Sequence, residues 1–489
     1  MDVRKRNIIV AIMVAMFLGA VEGTIVTTAI PTIAKELSGF EMISWVFSLY
    51  LLTSAISTPI YGKLSDLYGR KNTLSIGILI FLLGSSLCGL SQNMYQLIGF
   101  RALQGLGAGA IFTVTYTIVG DVFSLEERAR VQGWVSSVWG VASLAGPFLG
   151  GFLIDTLSWH WIFYINIPFG ILSILLLQRN LQENFERKKH RTDYAGTLVL
   201  SGAIILLLLG VLTGGKSSSL LSPKMLILLG GGLALFVSFY FIEKRAEEPI
   251  VPFEVFTKTN TIVNIISFMA SAILIGADVY MPIYIQNVLG YGATLSGLSM
   301  APMSISWLLS SVILGKAIPK YGERVVIGFS ALILAVSCAL LPTLGVQSSL
   351  FMVITYAFIM GFGFGGAFTT LTIVVQASVD YTKRGAATAS NALIRTVGQT
   401  IAVSVFGSLL NASIVRYFNN RGIPGVDPDS LYSSSNVNNA LPLEHIRNSL
   451  NSGLHVVFFV LIALAVLCTV LSVTLTNGLK EAPQNNEVG

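Results

Sequence analysis

Apolar runs long enough to cross a membrane follow one another along almost the whole chain. A helix needs about 20 apolar residues to span roughly 30 Å of hydrocarbon. The pattern predicts fourteen such helices, at 8–30, 43–62, 73–91, 95–118, 131–154, 161–179, 194–213, 224–243, 260–286, 293–318, 325–345, 350–376, 386–410 and 454–476. The segment 411–452 is rich in Asn, Ser, Asp and Pro and is predicted to be a long, partly irregular outer segment, with a short surface helix expected at 443–450. We therefore predict an all-α integral membrane protein.

The composition supports lipid as the solvent and gives no sign of an enzyme. The 489 residues are 53% hydrophobic and 11% charged, against about 25% charged residues in a typical soluble domain. The cysteines are only three, and each lies in an apolar run, which argues against a disulfide framework or a cysteine-based metal site. The four histidines are scattered over different segments, and no zinc-protease or nucleophile motif occurs. We predict no catalytic residue, metal or cofactor.

The basic residues predict the orientation of the chain. An even number of spans puts both termini on one side, and the segments on that side carry twenty-two of the thirty Lys and Arg. The opposite side carries six, so the positive-inside rule places both termini in the cytoplasm and makes the opposite side the outer side. The densest basic run, 187–191, is expected to contact anionic lipid headgroups rather than nucleic acid.

The chain contains a diverged internal duplication with an offset of 256 residues. This offset places Glu22 on Asp278, and it superposes further motifs in the same way: Gly105-x-Gly107-x-Gly109 on Gly361-x-Gly363-x-Gly365, Phe112-Thr113 on Phe368-Thr369, and Arg128 on Arg384. Two repeats of six spans therefore flank an inserted pair. We predict an N-terminal bundle at 1–192, the insert at 193–258 and a C-terminal bundle at 259–489.

Each repeat carries one carboxylate in its first span, and such a charge inside a membrane indicates function. Matching positions in two homologous halves point to a transporter. Glu22 and Arg101 lie at similar predicted depth, so we expect them to face each other. A carboxylate whose partner comes and goes between conformations can bind and release a proton; a static ion pair is the alternative. Asp278 has no such partner, since Ala357 takes the place of Arg101. It is expected to bind a proton or a cationic substrate, or to be bonded within the bundle.

A further motif suggests a segment that changes conformation. The loop after the second span, from Gly62 through Asp66 to Gly69 and Arg70, recurs with the same glycine spacing in the second repeat. Its glycines are expected to shape a tight turn. Asp66 is expected to act as a conformational latch by binding a helix N-terminus or an arginine in one state; a purely topological loop is the alternative.

Glycines and one proline concentrate in the fifth span, at Gly146, Pro147, Gly150 and Gly151. The glycines favour close helix contact, and the proline is expected to interrupt the helical hydrogen bonds locally. Arg395, in the thirteenth span, is expected to reach the cytoplasmic surface or to pair with Asp66 or Asp380; a direct transport role is the alternative.

Five ordered motifs resemble the major facilitator superfamily, specifically its fourteen-helix drug:proton antiporters. The loop after the second span is similar to the family's G-x-x-x-D-R-x-G-R-K signature, although Leu67 stands where the family often has Arg. The other four motifs are Glu22–Pro31, where Glu replaces the commoner Asp, Leu97–Gly109, Gly140–Gly151 and Trp159–Pro168, where His160 stands in place of Arg. The resemblance covers essentially the whole chain.

The resemblance implies two pseudo-symmetric six-helix bundles with an inserted helix pair, working by alternating access in a bacterial cytoplasmic membrane. It also implies export of lipophilic drugs, antiseptics and dyes, often cationic, driven by the proton gradient without a cofactor. The fifth-span residues Gly146, Pro147, Gly150 and Gly151 resemble the family's antiporter motif, which implies the export direction and disfavours uptake. Glu22, Asp278 and Arg101 would couple protons to transport. The expected partners are lipophilic substrates, protons and membrane lipids, and we expect a monomer. An exporter of one metabolite (a siderophore, peptide or lipid) and a proton-coupled uptake symporter remain alternatives.

Overall fold

The computed structural model describes residues 3–123, 125–182, 193–214, 223–246, 249, 253–379, 384–423, 426, 428 and 442–475. Within these ranges every regular element is helical and no strand occurs. The helices α1 to α15 are, in chain order, Val3–Glu36, Ile43–Tyr68, Arg70–Gly89, Met94–Val122, Leu125–Thr156, Trp161–Tyr164, Asn166–Asn180, Tyr194–Gly214, Pro223–Glu243, Lys258–Ile283, Ala293–Tyr321, Glu323–Leu340, Leu350–Ala377, Arg384–Asn419 and Leu443–Val473.

The helices agree with the predicted membrane spans. Thirteen helical segments among the described residues are long and apolar enough to cross a membrane, and a shorter apolar stretch, Ala195–Leu207, lies in α8. The sixth span is made of α6 and α7, which are separated only by Ile165. The prediction of an all-α membrane fold is therefore confirmed.

The chain divides into two compact units. The first unit combines Met1–Ile250 with Ile275–Ala301 and Gln399–Val457. It thus holds the first repeat, the inserted pair α8–α9 and those ends of α10, α11, α14 and α15 that are predicted to lie on the outer side. The second unit combines Val251–Leu274, Pro302–Gly398 and Phe458–Gly489.

Glycines in α4 hold the helices of the first unit close together. A Cβ atom at Gly105 or Gly109 would collide with the backbone of α2, and a Cβ atom at Gly107 would collide with that of α3. Small residues permit such contacts in membranes, where helices associate through packing rather than through the hydrophobic effect. The glycine pattern of α4 therefore fixes the positions of the helices on either side of it.

The second unit repeats this packing. Gly361 and Gly365 of α13 lie against the backbone of α11 at Met303 and Trp307, and Gly363 lies against α12. These are the glycines that the offset of 256 residues pairs with those of α4. The duplication read from the sequence is thus also a duplication of helix contacts.

The segment predicted to be a loop after the second span, 62–71, is mostly helical. Only Gly69 separates α2 from α3, with φ 90° and ψ 152°, and Gly322 repeats this geometry between α11 and α12, with φ 86° and ψ 158°. Such a positive φ favours glycine. Gly62 instead lies within α2, where a Cβ atom would stand 3.6 Å from Thr113 Cγ2. The expectation that Gly62 shapes the turn was wrong, because one residue with positive φ is enough to redirect the chain.

The irregular part of the predicted outer segment 411–452 is shorter than expected, because α14 extends into its start. The short helix expected at 443–450 is present as the start of α15. α14 continues to Asn419 and α15 begins at Leu443, so helix covers both ends of the segment. Residues 424, 425, 427 and 429–441 lie outside the described part. The helical extensions are stabilised by buried side chains, namely Ile414, Phe418, Ile446, Ser449 and Leu450.

Candidate functional site

Glu22 is completely buried in α1, a helix that packs against α4, α5 and α7. Its Oε1 atom accepts a hydrogen bond from Nη1 of Arg101, in α4, at 2.5 Å. The side chain of Arg101 is itself only 1% exposed. The contact expected from the similar depth of the two residues is therefore present, and it is sealed from solvent.

The second carboxylate oxygen of Glu22 is held from another helix. Asn166, the first residue of α7, donates from Nδ2 to Oε2 of Glu22 at 2.8 Å and to Oγ of Ser85 at 3.0 Å. Ser85 donates in turn to the backbone oxygen of Phe163 at 2.8 Å. An ionised carboxylate accepts at both oxygens, so these donors suit the charged form of Glu22.

Arg101 is fixed by neighbours on α2 and α4. Its guanidinium carbon lies 4.0 Å from the ring centroid of Tyr50, a cation–π contact. Nη1 also donates to Oε1 of Gln104 at 2.7 Å, and Nε donates to the backbone oxygen of Val46 at 3.5 Å. The cation is therefore placed by the first repeat alone, without help from the second.

A buried ion pair contributes little net stability, because removing two charges from water offsets most of their attraction. Its place within membrane helices instead indicates a role in function. A proton on Glu22 would abolish the attraction and leave Arg101 as an uncompensated buried cation. This arrangement can therefore link proton binding to a movement of α1 relative to α4.

Asp278 occupies a different environment. It lies in α10 and is partly buried, and among the described residues its carboxylate has no hydrogen-bonding or ion-pairing partner. Ala357, at the position equivalent to Arg101, offers neither charge nor hydrogen bond. The structure thus places one carboxylate of the duplicated pair in a closed polar network and leaves the other without one.

The latch residues surround the junction of α2 and α3. Nη1 of Arg70 donates to the backbone oxygen of Ser65 at 2.6 Å, across Gly69. Such a bond satisfies one of the free carbonyl groups at the end of α2. The side chain of Asp66 lies outside the part that the structure describes, so its role as a latch stays a prediction.

The small residues of α5 pack first against α1. A Cβ atom at Gly146 would collide with Thr24, and one at Gly150 would lie 2.9 Å from the backbone oxygen of Ile25. The hydroxyl of Thr24 donates to the backbone oxygen of Ala142 at 3.2 Å, which ties the two helices together. α5 therefore lies directly behind the turn of α1 that carries Glu22.

α5 also contacts the start of α11, within the same unit. Gly151 faces the backbone of Thr294, and Gly297 faces the carbonyl group of Pro147. Asp155, at the end of α5, accepts hydrogen bonds from the backbone nitrogen of Thr294 at 2.9 Å and from its hydroxyl at 2.5 Å. The carboxylate thus caps α11 from another helix.

Further hydrogen bonds close the predicted outer end of the first unit. They run from Gln286 Nε2 to the backbone oxygen of Thr28 at 2.8 Å, between the hydroxyls of Ser48 and Ser404 at 2.8 Å, and from Asn411 Nδ2 to the backbone oxygen of Glu41 at 3.2 Å. Gln286 lies in a π-helical segment, Tyr284–Val288, of a kind often found at functional sites. The first repeat is therefore packed against the outer ends of the second.

Sequence analysis did not place beside Glu22 the residues that complete its surroundings, namely Tyr50, Ser85, Gln104 and Asn166, although Gln104 and Asn166 lie within two of the family-like motifs. Gln104 could have been found, because it follows Arg101 by three residues and so shares its helix face. Asn166 gives a weaker signal, as a polar amide within an apolar span that needs a partner in lipid. Nothing in the sequence shows that its partner is Glu22.

Comparison with known proteins gives the family. The sequence matches the Major Facilitator Superfamily over residues 12–403. It is 36% identical to the Multidrug transporter protein MdtP of Bacillus subtilis (strain 168) over 433 residues, which cover 88% of this chain and 80% of that protein. It is 32% identical to Multidrug resistance protein 3 of the same organism, over 82% of this chain and 79% of that protein.

Solved structures share the fold at low sequence identity. A bacterial homologue of the human lysosomal transporter Spinster, in an inward-facing and unoccupied conformation, gives a TM-score of 0.70 at 15% identity over 97% of this chain and 98% of the other. A D-xylose-proton symporter gives a TM-score of 0.64 at 12% identity over 96% of this chain and 97% of the other. The chain is a multi-pass membrane transporter that belongs to the major facilitator superfamily.

Proposed function

We propose that this transporter is a proton-coupled antiporter that exports lipophilic, often cationic, drugs and dyes from the bacterial cytoplasm, with both termini on the cytoplasmic side. The observation that carries the proposal is the buried contact of Glu22 with Arg101, a titratable group inside a sealed polar network. The names of two relatives, a multidrug transporter and a multidrug resistance protein, support drugs as the cargo.

Coupling follows from the competition between a proton and Arg101 for the same carboxylate. Glu22 has no exposed surface in the conformation described, so a proton reaches it only after the helices around it move. A proton arriving from the outer side then neutralises Glu22, releases Arg101 and favours a different packing of α1 and α4. The two conformations bind the proton and the drug with different affinities. Binding of a proton therefore favours the conformation that releases the drug.

Asp278 supplies the negative charge that attracts a cationic substrate. A partly buried carboxylate without a described partner is an unfavourable state, and a lipophilic cation relieves it. Glu22 and Asp278 thus have separate tasks, the first in proton coupling and the second in substrate binding.

Proton movement on addition of substrate tests the antiport directly. In everted membrane vesicles with a respiration-generated gradient, the lumen is acidic and corresponds to the outside of the cell. Adding ethidium is expected to raise the luminal pH, reported by a pH-sensitive acridine dye, while ethidium accumulates inside. Vesicles without the transporter set the background. Proton release without accumulation of ethidium would argue for symport, and no response at all would favour an exporter of one metabolite.

Replacing Asp278 by Asn is expected to reduce efflux of cationic dyes more than efflux of neutral ones. The change removes the charge but keeps the size of the side chain, so the loss measures the charge attraction. We expect about a tenfold fall for ethidium, since one such interaction is worth about 1.4 kcal/mol or more, and little change for a neutral dye. Equal losses for both dyes would show that Asp278 acts in proton coupling or in packing instead.

The contact between α5 and α11 is expected to open and close during transport. Gly297→Leu places a bulky side chain against the carbonyl group of Pro147, so the closed outer end becomes unfavourable. Overpacking typically costs about 1–3 kcal/mol, which corresponds to a shift of between about fivefold and about 100-fold in the ratio of conformations.

This shift can be followed by maleimide labelling from the outside of a cysteine introduced at Thr28, which is 1% exposed. We expect faster labelling in Gly297→Leu. Gly99→Leu is the matched control, because a Cβ atom at Gly99 meets nothing within 4 Å. The native cysteines are buried and give a low background. Equal labelling rates in both variants would mean that this contact does not hold the outer end closed.

A further inference from the structure

Arg395 is a partly buried cation in α14, in the second unit. Its guanidinium carbon lies 4.3 Å from the ring centroid of Phe368, in α13. Among the residues that the structure describes, Nη2 makes one long hydrogen bond, of 3.5 Å, to the backbone oxygen of Phe368, and Nε is buried without a hydrogen-bond partner. A guanidinium group has five N–H donors. The described residues therefore use little of the donor capacity of Arg395.

The charge of Arg395 is not balanced within the described part of the chain. No ion pair joins it to any carboxylate whose side chain the structure describes. The two acids suggested as partners by the sequence, Asp66 and Asp380, both lie outside the described side chains. An arginine inside a membrane protein is unfavourable unless it has a counter-charge or faces water. A position that holds such a cation within the bundle points to a ligand of opposite charge.

Aromatic rings extend the surface beside Arg395. Phe368 stacks on Trp307, of α11, with ring centroids 5.3 Å apart and an interplanar angle of 13°. Phe364 adds a third ring, at 5.9 Å from Phe368. Trp307 is only partly buried, whereas Phe364 is fully buried, so Trp307 presents the accessible edge of the stack. The cation thus stands next to a flat apolar surface.

The first repeat has the same arrangement without the charge. The offset of 256 residues pairs Arg395 with Trp139 and Phe368 with Phe112. Trp139 stacks on Phe112 at 5.4 Å with an interplanar angle of 21°, so the two positions touch in both repeats. The backbone of Ser54 faces Gly109 as that of Trp307 faces Gly365, so a serine replaces the tryptophan. The cation and the ring of Trp307 are therefore peculiar to the second repeat, rather than a requirement of the shared packing.

We propose that Arg395, Phe368 and Trp307 form a substrate subsite for aromatic acids, in which the guanidinium group binds a carboxylate and the ring stack binds the adjoining aromatic system. The proposal rests on the proposed export function and extends its substrates from lipophilic cations to aromatic anions. Arginine suits this task, because its planar fork can bind a carboxylate through two parallel hydrogen bonds.

Binding of a matched pair of ligands tests the subsite. Isothermal titration of the purified full-length protein in lipid nanodiscs would compare 1-naphthoate with 1-naphthamide, which has the same rings but no charge. We expect the wild type to bind naphthoate more tightly. Arg395→Gln should weaken naphthoate binding about tenfold or more and change naphthamide binding less than about twofold. Arg395→Lys should give an intermediate affinity, since lysine keeps the charge but loses the fork.

Arg416→Gln is the matched control. Arg416 lies on the same helix but is exposed near its predicted outer end, so its removal should leave both affinities unchanged. Thermal unfolding separates a ligand-binding role from a structural one. If Arg395 serves only to bind a ligand, Arg395→Gln should not lower the melting temperature. If Arg395 pairs with a carboxylate such as Asp380, its loss should lower the melting temperature.

The subsite is overturned if naphthoate does not bind, if its affinity is the same in Arg395→Gln, or if both ligands are weakened equally together with a lower melting temperature. Ethidium efflux by the same preparations separates this failure from failure of the export function. Efflux of ethidium without binding of naphthoate would remove the subsite and keep the drug exporter. Arginine-dependent binding of naphthoate without efflux of any dye would keep the subsite and remove the drug exporter.

Discussion

Glu22→Gln is expected to abolish ethidium efflux that is driven by the proton gradient. Exchange of ethidium through the transporter in the absence of a gradient is expected to remain intact. Glutamine keeps the size of the side chain and can accept the hydrogen bond of Arg101, but it cannot bind and release a proton. The coupling step is lost, whereas the alternation of conformations with bound dye is not. Efflux under a proton gradient and exchange without one would be measured in the same vesicles.

Glu36→Gln is the matched control for this variant. Glu36 ends the same helix and is exposed, so the change removes an equal charge without touching the buried network. We expect wild-type efflux from it. If Glu22→Gln kept gradient-driven efflux, Glu22 would be a structural residue in a static ion pair. If it lost exchange as well, the carboxylate would be required for substrate binding or for folding.

Arg101→Met is expected to be the most destabilising single change in the first unit. It leaves the carboxylate of Glu22 in a fully buried site without its counter-charge. Removing one partner of a buried ion pair costs about 3–5 kcal/mol. We therefore expect a clear fall in the thermal unfolding midpoint of the detergent-purified protein at pH 8.

Adding Glu22→Gln to Arg101→Met is expected to restore part of this stability, because the double variant no longer buries a lone charge. A second substitution that stabilises the first would show that the two residues are coupled in free energy. Arg416→Met, an exposed arginine, controls for the loss of an arginine as such. Additive losses in the double variant would mean that the two side chains contribute independently, in contrast to the 2.5 Å contact.

The sequence predicts the spans, the duplication and the meeting of Glu22 with Arg101, because each depends on a long-range regularity. Span length follows from bilayer thickness. The depth of a residue follows from its count along a helix, at about 1.5 Å per residue. In lipid, two opposite charges at equal depth in neighbouring helices have few possible partners other than each other, so the sequence was enough to predict their contact.

Other features depend on local choices that the sequence pattern does not reveal. Polar residues from Gly62 onward resemble a loop, yet α2 continues to Tyr68, because hydrogen bonds within the helix satisfy its backbone groups whatever the polarity of the side chains. Asn166 donates to Glu22 from α7, a contact between two helices far apart in the sequence that no pattern within either helix reveals. The contact of Arg395 with the ring of Phe368 joins two helices, and no pattern within either helix predicts it.

Transport by purified protein under an imposed gradient tests the central claim most directly. The protein, reconstituted into lipid vesicles, would be given a pH difference and no other energy source, and ethidium movement would be compared between wild type, Glu22→Gln and Glu36→Gln. The account predicts ethidium accumulation in the more acidic compartment for wild type and Glu36→Gln, its collapse on adding a protonophore, and none for Glu22→Gln. Accumulation by Glu22→Gln equal to that of wild type would contradict it.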